Sequence, residues 1–156
     1  MTIYLVRHAH AGRRSHWAGP DSERPLSDKG RRQADALTDR LADARIEQVL
    51  SSASARCQET VAGLAEQRGV EVEVHPALTE GASARDTIAL LRGLAAGGVG
   101  AALSSHGDVI PAALDALAGD GLELDSSREL PKGTFYALAV DDHGRITSAA
   151  LVDPRP

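Results

Sequence analysis

Thr2-Ile3-Tyr4-Leu5-Val6-Arg7-His8 is the stretch from which the rest of the chain is read. Thr2 to Val6 is a short apolar run with a β-branched residue at each end, stopped by charge at Arg7. That pattern predicts a buried strand that hands two reactive side chains to whatever follows. Residues 8–26 hold Gly12, Gly19, Pro20 and Pro25 among many polar groups and predict a long loop. Ser27 is a good N-cap, and Leu26, Ala34, Leu37 and Leu41 recur at helical spacing to about Ala44.

Outward from there the two periods alternate. Val49-Leu50 is a second strand core, and residues 55–68 form a helix with Val61, Leu64 and Ala65 on one face and Gly69 as its stop. Val70 to Val74 alternates with Glu71 and Glu73, as a half-exposed strand does. A helix from about Ser83 uses Ile88, Leu91 and Leu94 and ends near Gly97-Gly98. Val99 to Leu103 is a further buried strand, and Val109 to Ala118 a fourth helix. Phe135 to Val140 and Arg145 to Val152 flank Asp141-Asp142-His143-Gly144 as a hairpin. Gly119 to Ser127 receives no role. Strands alternating with helices predict an α/β fold, a three-layer α/β/α sandwich around a mainly parallel sheet, with residues 1–156 as a single domain.

Composition narrows the function classes. The chain has 156 residues, 42% hydrophobic, and a formal net charge of -5, so it is long and apolar enough to bury a core. Acidic balance and a sparse aromatic set (one Trp, two Tyr, one Phe) argue against nucleic-acid binding. Cys57 is the lone cysteine, which excludes an internal disulfide and a Cys-rich zinc site. No stretch approaches a membrane span, and no basic segment precedes a hydrophobic run, so a cytoplasmic protein with no membrane partner is expected. Arg outnumbers Lys 15 to 2, read first as composition bias.

In parallel α/β sheets ligands bind outside the carboxyl ends of the strands. Arg7-His8 follows the first strand, His106 follows the Val99–Leu103 strand, and Arg56 follows the second strand at a helix start. Taken singly, each is an ordinary polar group at a strand end. Together they suit phosphoryl chemistry: imidazole is a nucleophile toward phosphorus, and guanidinium groups bind phosphoryl oxygens bidentately. Helix starts near Arg56 and after His106 aim backbone N–H groups at an anion. A metal pair at His8 and His10, of the kind carried by (β/α)₈ barrels, would need about 250 residues.

Four motifs resemble the histidine phosphatase superfamily, of the phosphoglycerate mutase-like type. Leu5-Val6-Arg7-His8-Ala9-His10-Ala11 is similar to its N-terminal signature. Pro25-Leu26-Ser27-Asp28-Lys29-Gly30-Arg31-Arg32-Gln33-Ala34 is similar to its helix entry, and Ser51-Ser52-Ala53-Ser54-Ala55-Arg56-Cys57-Gln58-Glu59-Thr60 to its second signature. Ser105-His106-Gly107 resembles the motif of the second catalytic histidine. In size and in its Arg-His-Ala variant, with Ala9 where most members carry Gly, the chain resembles the small SixA-like phosphohistidine phosphatases. It also resembles the phosphatase domain that follows a Nudix domain in some bacterial proteins, on Arg24-Pro25-Leu26, Leu78-Thr79-Glu80 and Lys132-Gly133-Thr134.

The resemblance implies a phosphatase that needs no metal or other cofactor. His8 would be the nucleophile, with Arg7, Arg56, His106 and Gly107 forming the phosphate pocket. Phosphohistidine on a partner protein comes first as substrate, ahead of a small phosphomonoester such as a nucleotide or sugar phosphate. Glu80 decides between them, because an alkyl ester leaving group needs a proton whereas a phosphoramidate leaves more readily. Arg14 stands where mutase-like members carry Asn, and it and Lys132 are candidate substrate contacts. The reading of another class is a catalytically inactive phosphate-binding module.

Overall fold

A computed structural model of the chain describes residues 1–124 and 129–155. Seven strands form one sheet: β1 (Thr2–Arg7), β2 (Gln48–Ser51), β3 (Val72–Val74), β4 (Ala101–Ser105), β5 (Glu123–Leu124), β6 (Phe135–Val140) and β7 (Ile146–Val152), in the order β3-β2-β4-β1-β6-β7-β5. β1 pairs in parallel with β4, β4 with β2 and β2 with β3, whereas β6 runs antiparallel to both β1 and β7. β6 is thus the one reversed strand among those described, and the sheet is mainly parallel as expected.

Alternation along β1 divides the core. Ile3 and Leu5 join Leu103, Ile110, Leu114 and Leu138 under helices α3 (Ala84–Ala96) and α4 (Val109–Gly119). Val6 joins Val49, Val61, Leu64 and Phe135 under α1 (Asp28–Arg40) and α2 (Ala55–Arg68). Successive strand residues face opposite layers, so one six-residue strand ties both halves of the core together. Burying strands on both faces is what makes β4 read as an unbroken run of buried residues, Ala101 to Ser105.

Three boundaries differ from the sequence expectation by more than one residue and one strand is additional, each for a local reason. α1 stops at Arg40 rather than near Ala44, because Arg68 donates to the carbonyls of Leu41 and Ala44 and holds that stretch as turns. β3 begins at Val72, since Gly69 adopts a left-handed φ of 66° and Val70 packs against the α1–α2 side of the core before the ladder starts. β4 is shifted to Ala101–Ser105 by its register with β1, which pairs Arg7 with Ser105. β5 lies in the stretch given no role. Two residues are too few to show a period, and Asp125, Ser126 and Ser127 of that stretch lie outside the described residues.

The topology places the site. β1 leads through α1 to β2, skipping the position that β4 fills when the chain returns through α3. β1 and β4 therefore lie side by side at the point where the strand order reverses, and their carboxyl ends open into one crevice.

Candidate active site

His8 and His106 follow these two adjacent strands and meet edge to face, with ring centroids 5.5 Å apart and planes at 67°. The His8 amide donates to Ser105 O at 3.0 Å, which fixes the two strand ends against each other. Both imidazoles are nearly inaccessible. His8 Nδ1 lies 2.8 Å from Ala9 O, and a carbonyl can only accept, so Nδ1 carries the proton and Nε2 keeps its lone pair. Burial, opposed by that hydrogen bond and reinforced by the charges of Arg56, His106 and Arg7, pushes His8 down to about 3 from an ordinary 6.5. The ring is therefore neutral at physiological pH, the protonation state a nitrogen nucleophile requires.

That shift has a consequence for stability. The unfolded chain takes up a proton at His8 near pH 6.5, whereas the folded chain refuses it until about pH 3. Folding stability is then unaffected above pH 6.5 and lost as pH falls toward about 3. At pH 4.5 the loss from this group is expected to be about 2–3 kcal/mol. Urea unfolding in phosphate-free buffer at pH 7.5 and 4.5 measures it, and His8→Asn is expected to flatten the acid slope. An unchanged slope would contradict the buried neutral ring.

His106 is held from the other side. Its Nε2 lies 2.8 Å from the Ser52 hydroxyl, and Ser54 N–H donates weakly to the same oxygen at 3.4 Å. Ser52 and the His106 ring thus share one hydrogen bond, whose direction is set by the ring's tautomer. Burial, with Arg56, lowers His106 below its ordinary value despite opposing Glu80, Asp108 and Asp21. Cys57, 3.5 Å from Nε2, is pushed up to about 12 by burial, so it stays a thiol and serves as packing at the base of α2 rather than as a reactive group.

Two arginines complete the pocket. Arg7 Nη1 donates to Leu130 O at 2.6 Å, and its guanidinium packs against Gly107, where a Cβ would fall 2.8 Å from Cζ. Arg56 is only 2% exposed; Nη1 donates to Asp21 O at 2.9 Å, and Nη2 lies 3.2 Å from Asp21 Oδ2 and 3.3 Å from Glu80 Oε2. Arg7 Nε and Arg56 Nε are the two side-chain polar atoms, among the described residues, that are buried without a protein partner. Buried donors are otherwise almost always satisfied, so the two guanidinium groups stand out from the rest of the core.

Small residues and hydroxyls hold the constellation in register. Thr60 Oγ1 accepts from Ala9 N at 2.9 Å and donates to Arg56 O at 2.6 Å, joining the first signature to the second. Ala9, where a Gly would be the common choice, is fully buried in this contact. Ser104 and Ser105 donate to Cys57 O and Leu78 O, which ties α2 and the Glu80 loop to β4. Gly30 admits no side chain, because a Cβ there would lie 1.9 Å from His10 O.

The remaining expected residues divide. Glu80 is brought to the pocket, half-exposed, between Arg56 and Arg14 at 3.3 and 3.5 Å. Arg14 is on the rim, engaged by both Asp21 oxygens at 3.0 and 3.1 Å, so its charge is already matched. Lys132 lies in the turn before β6, whose Gly133 amide donates to His8 O at 3.2 Å. Asp21 is the residue that sequence reasoning missed. It gathers Arg14, Arg24 and Arg56; burial alone would raise its carboxyl, but the Arg24 hydrogen bond and the three cations outweigh that and lower it. Nothing in a polar loop distinguishes such an acid before the loop is folded.

The sequence profile of the histidine phosphatase superfamily (branch 1) matches residues 3–87, which include Arg7, His8, Arg56 and Glu80. The chain belongs to that superfamily. It is a hydrolase of the phosphatase class, as its sequence suggested. An 8-oxo-(d)GTP phosphatase of Mycolicibacterium smegmatis is 31% identical over 98% of this chain, and the chain spans about half that protein, 48% of its length. The fold is similar to that of the protein histidine phosphatase SixA complexed with tungstate, with TM-score 0.75, 22% identity, and 99% and 97% of the two chains covered. A putative phosphohistidine phosphatase SixA from Nakamurella multipartitia is 27% identical, with TM-score 0.69 over 97% and 92% of the two chains. Among the described residues no helix is long and apolar enough to cross a membrane.

Proposed function

We propose that this histidine phosphatase hydrolyses small phosphate esters through a phosphoryl group carried on His8 Nε2, with Glu80 as proton donor. The observation that carries the choice of substrate is the position of Glu80, whose carboxylate lies 3.3 Å from the buried guanidinium of Arg56. An acid so placed has a use when the leaving group is an alkoxide and little use when it is an imidazole.

The steps follow from the geometry. The Arg7 and Arg56 guanidinium groups and the His106 ring donate to the non-bridging phosphoryl oxygens and neutralise charge as it builds. The His8 Nε2 lone pair forms the N–P bond while the P–O bond to the leaving group breaks, and Glu80, given a proton from solvent as the bound phosphate competes for Arg56, passes it to the departing oxygen. Water then attacks the phosphohistidine, Glu80 takes the proton, the N–P bond breaks, and inorganic phosphate and the neutral ring are regenerated. Glu80 is half-exposed beside the buried Arg56, so the site meets solvent on the Glu80 side.

That openness supports a second reading, phosphohistidine on a partner protein, a substrate that the name of the SixA neighbours also carries. Glu80→Gln separates the two. On an alkyl phosphate, kcat/KM is expected to fall by about 10²–10⁴. On p-nitrophenyl phosphate, whose leaving group needs no proton, and on a phosphohistidine protein it is expected to change by less than about fivefold. A wild-type preference for the phosphohistidine protein, with alkyl phosphates indifferent to Glu80→Gln, would overturn the ester assignment.

A further inference from the structure

Arg56 carries two carboxylates on one nitrogen. Its Nη2 lies 3.2 Å from Asp21 Oδ2 and 3.3 Å from Glu80 Oε2, and its Nη1 donates to Asp21 O at 2.9 Å. The guanidinium is almost wholly buried, so these neighbours, rather than water, balance its charge. A phosphate dianion that draws on the same cation brings a third anion to it, and like charges so close repel strongly in a poorly solvated site. One carboxylate then has to move away or take up a proton. The surroundings of the two acids decide which.

Asp21 is tied down on every side. Arg14 Nε and Nη2 donate to its Oδ1 and Oδ2 at 3.0 and 3.1 Å, and Arg24 Nε donates to Oδ1 at 3.2 Å. With Arg56, three cations meet one carboxylate. Arg24 is itself anchored, because its Nη1 donates to Ala11 O and Gly12 O. Burial opposes the ionisation of Asp21, but the Arg24 hydrogen bond and the charges of Arg56, Arg14 and Arg24 outweigh it. The backbone is held as well. Asp21 opens the 3₁₀ turn Asp21–Glu23, in which Glu23 N donates to Pro20 O at 3.0 Å and Arg24 N to Asp21 O at 3.1 Å. The exposed Trp17 ring braces the entry to that turn: its Nε1 donates to Pro20 O at 2.8 Å, and a Cβ on Gly19 would lie 3.2 Å from the ring.

Glu80 has less to hold it. Among the described residues its carboxylate meets Arg56 and, at 3.5 Å, Arg14, and its side chain is half-exposed. It precedes Gly81, whose left-handed φ of 83° turns the chain and whose amide donates to Asp108 Oδ2 at 2.9 Å. The charged and titratable groups around it are Arg14 in the loop after β1, Asp21, Arg56 on α2, His106 after β4 and Asp108 before α4.

We infer that Asp21 is a positioning residue, the permanent counter-ion of Arg56, which keeps its place when phosphate binds and so makes Glu80 the carboxylate that is released and protonated. The inference rests on the reading of Glu80 as proton donor and deepens it: without a second anion fixed on Arg56, Glu80 would stay there ionised.

Phosphate binding is then coupled to proton uptake, which calorimetry reads from the heats in two buffers of different protonation enthalpy. Inorganic phosphate is titrated at pH 5.5 into the wild-type chain, Glu80→Gln and Asp21→Asn, and the ionisation of phosphate itself is common to all three. Wild type is expected to take up about 0.3 proton or more beyond Glu80→Gln, and Asp21→Asn to lose at least about half of that excess. No excess in wild type, or more than half of it retained by Asp21→Asn, would overturn the assignment. A crystal of wild-type protein soaked in phosphate needs no variant. Asp21 is expected to keep its contact with Arg56 while the Glu80 contact opens beyond about 4 Å; both contacts intact, or Asp21 displaced, would overturn it. Where Glu80→Gln separates alkyl phosphates from p-nitrophenyl phosphate, Asp21→Asn is expected to separate them by at least about tenfold in kcat/KM. Equal losses there would reduce Asp21 to a structural part. If proton uptake and contacts behave as expected while Glu80→Gln spares alkyl phosphates, the ester reading fails and the place of Asp21 stands.

Discussion

His8→Ala is expected to lower kcat/KM for every phosphate substrate by about four orders of magnitude or more, with the fold retained. The reason is that the neighbouring side chains are already committed to other partners. His106 Nε2 is engaged by Ser52, Cys57 is held as a thiol by burial, and both arginines are cations without a lone pair to give. Removing a nucleophile that acts in concert with its surroundings removes almost all the chemistry they support. Stability is expected to hold near neutral pH, because His8 contributes one local hydrogen bond and carries a desolvation cost that alanine lacks. Steady-state phosphate release together with a thermal unfolding scan checks both halves. Activity within tenfold of wild type would remove His8 from the nucleophile's role.

Arg56→Lys is expected to lower kcat/KM by about 10²–10³ even though the charge is kept. The guanidinium does three jobs that an ammonium cannot combine. Nη1 anchors Asp21 O, Nη2 meets Asp21 and Glu80, and the planar group as a whole is buried. A lysine would follow one of these partners and abandon the others, so the loop carrying Asp21 is expected to loosen as well. Loss of those hydrogen bonds predicts a stability decrease of about 1–3 kcal/mol. Because Arg56 also holds Glu80, the loss on alkyl phosphates is expected to exceed the loss on p-nitrophenyl phosphate. Equal kinetics for Arg56→Lys and wild type would show that charge alone suffices and that the fork geometry is immaterial.

The parts of this arrangement that were legible in the sequence are those whose signal is local. Thr2–Val6 is apolar and β-branched, ends at Arg7-His8, and so announces both a strand and what leaves its carboxyl end. His106 after a buried run and Arg56 at a helix start carry the same kind of signal, and parallel topology does the rest. Asp21 could not be read, because its importance comes from three arginines that reach it only when residues 8–26 have folded around Arg24, which donates to Ala11 O and Gly12 O. β5 escaped because two residues display no period.

The most direct test of the central claim is isolation of the phosphoenzyme. The protein is quenched in alkali during turnover of p-nitrophenyl phosphate, digested, and the modified peptide and ring nitrogen identified by mass spectrometry and phosphorus resonance. The account predicts one phosphoryl group per chain, on His8 and at Nε2, because Nδ1 is occupied by its bond to Ala9 O. The adduct should be lost in acid and absent from His8→Ala. A phosphoryl group on another residue, or steady turnover by His8→Ala with no adduct anywhere, would contradict it.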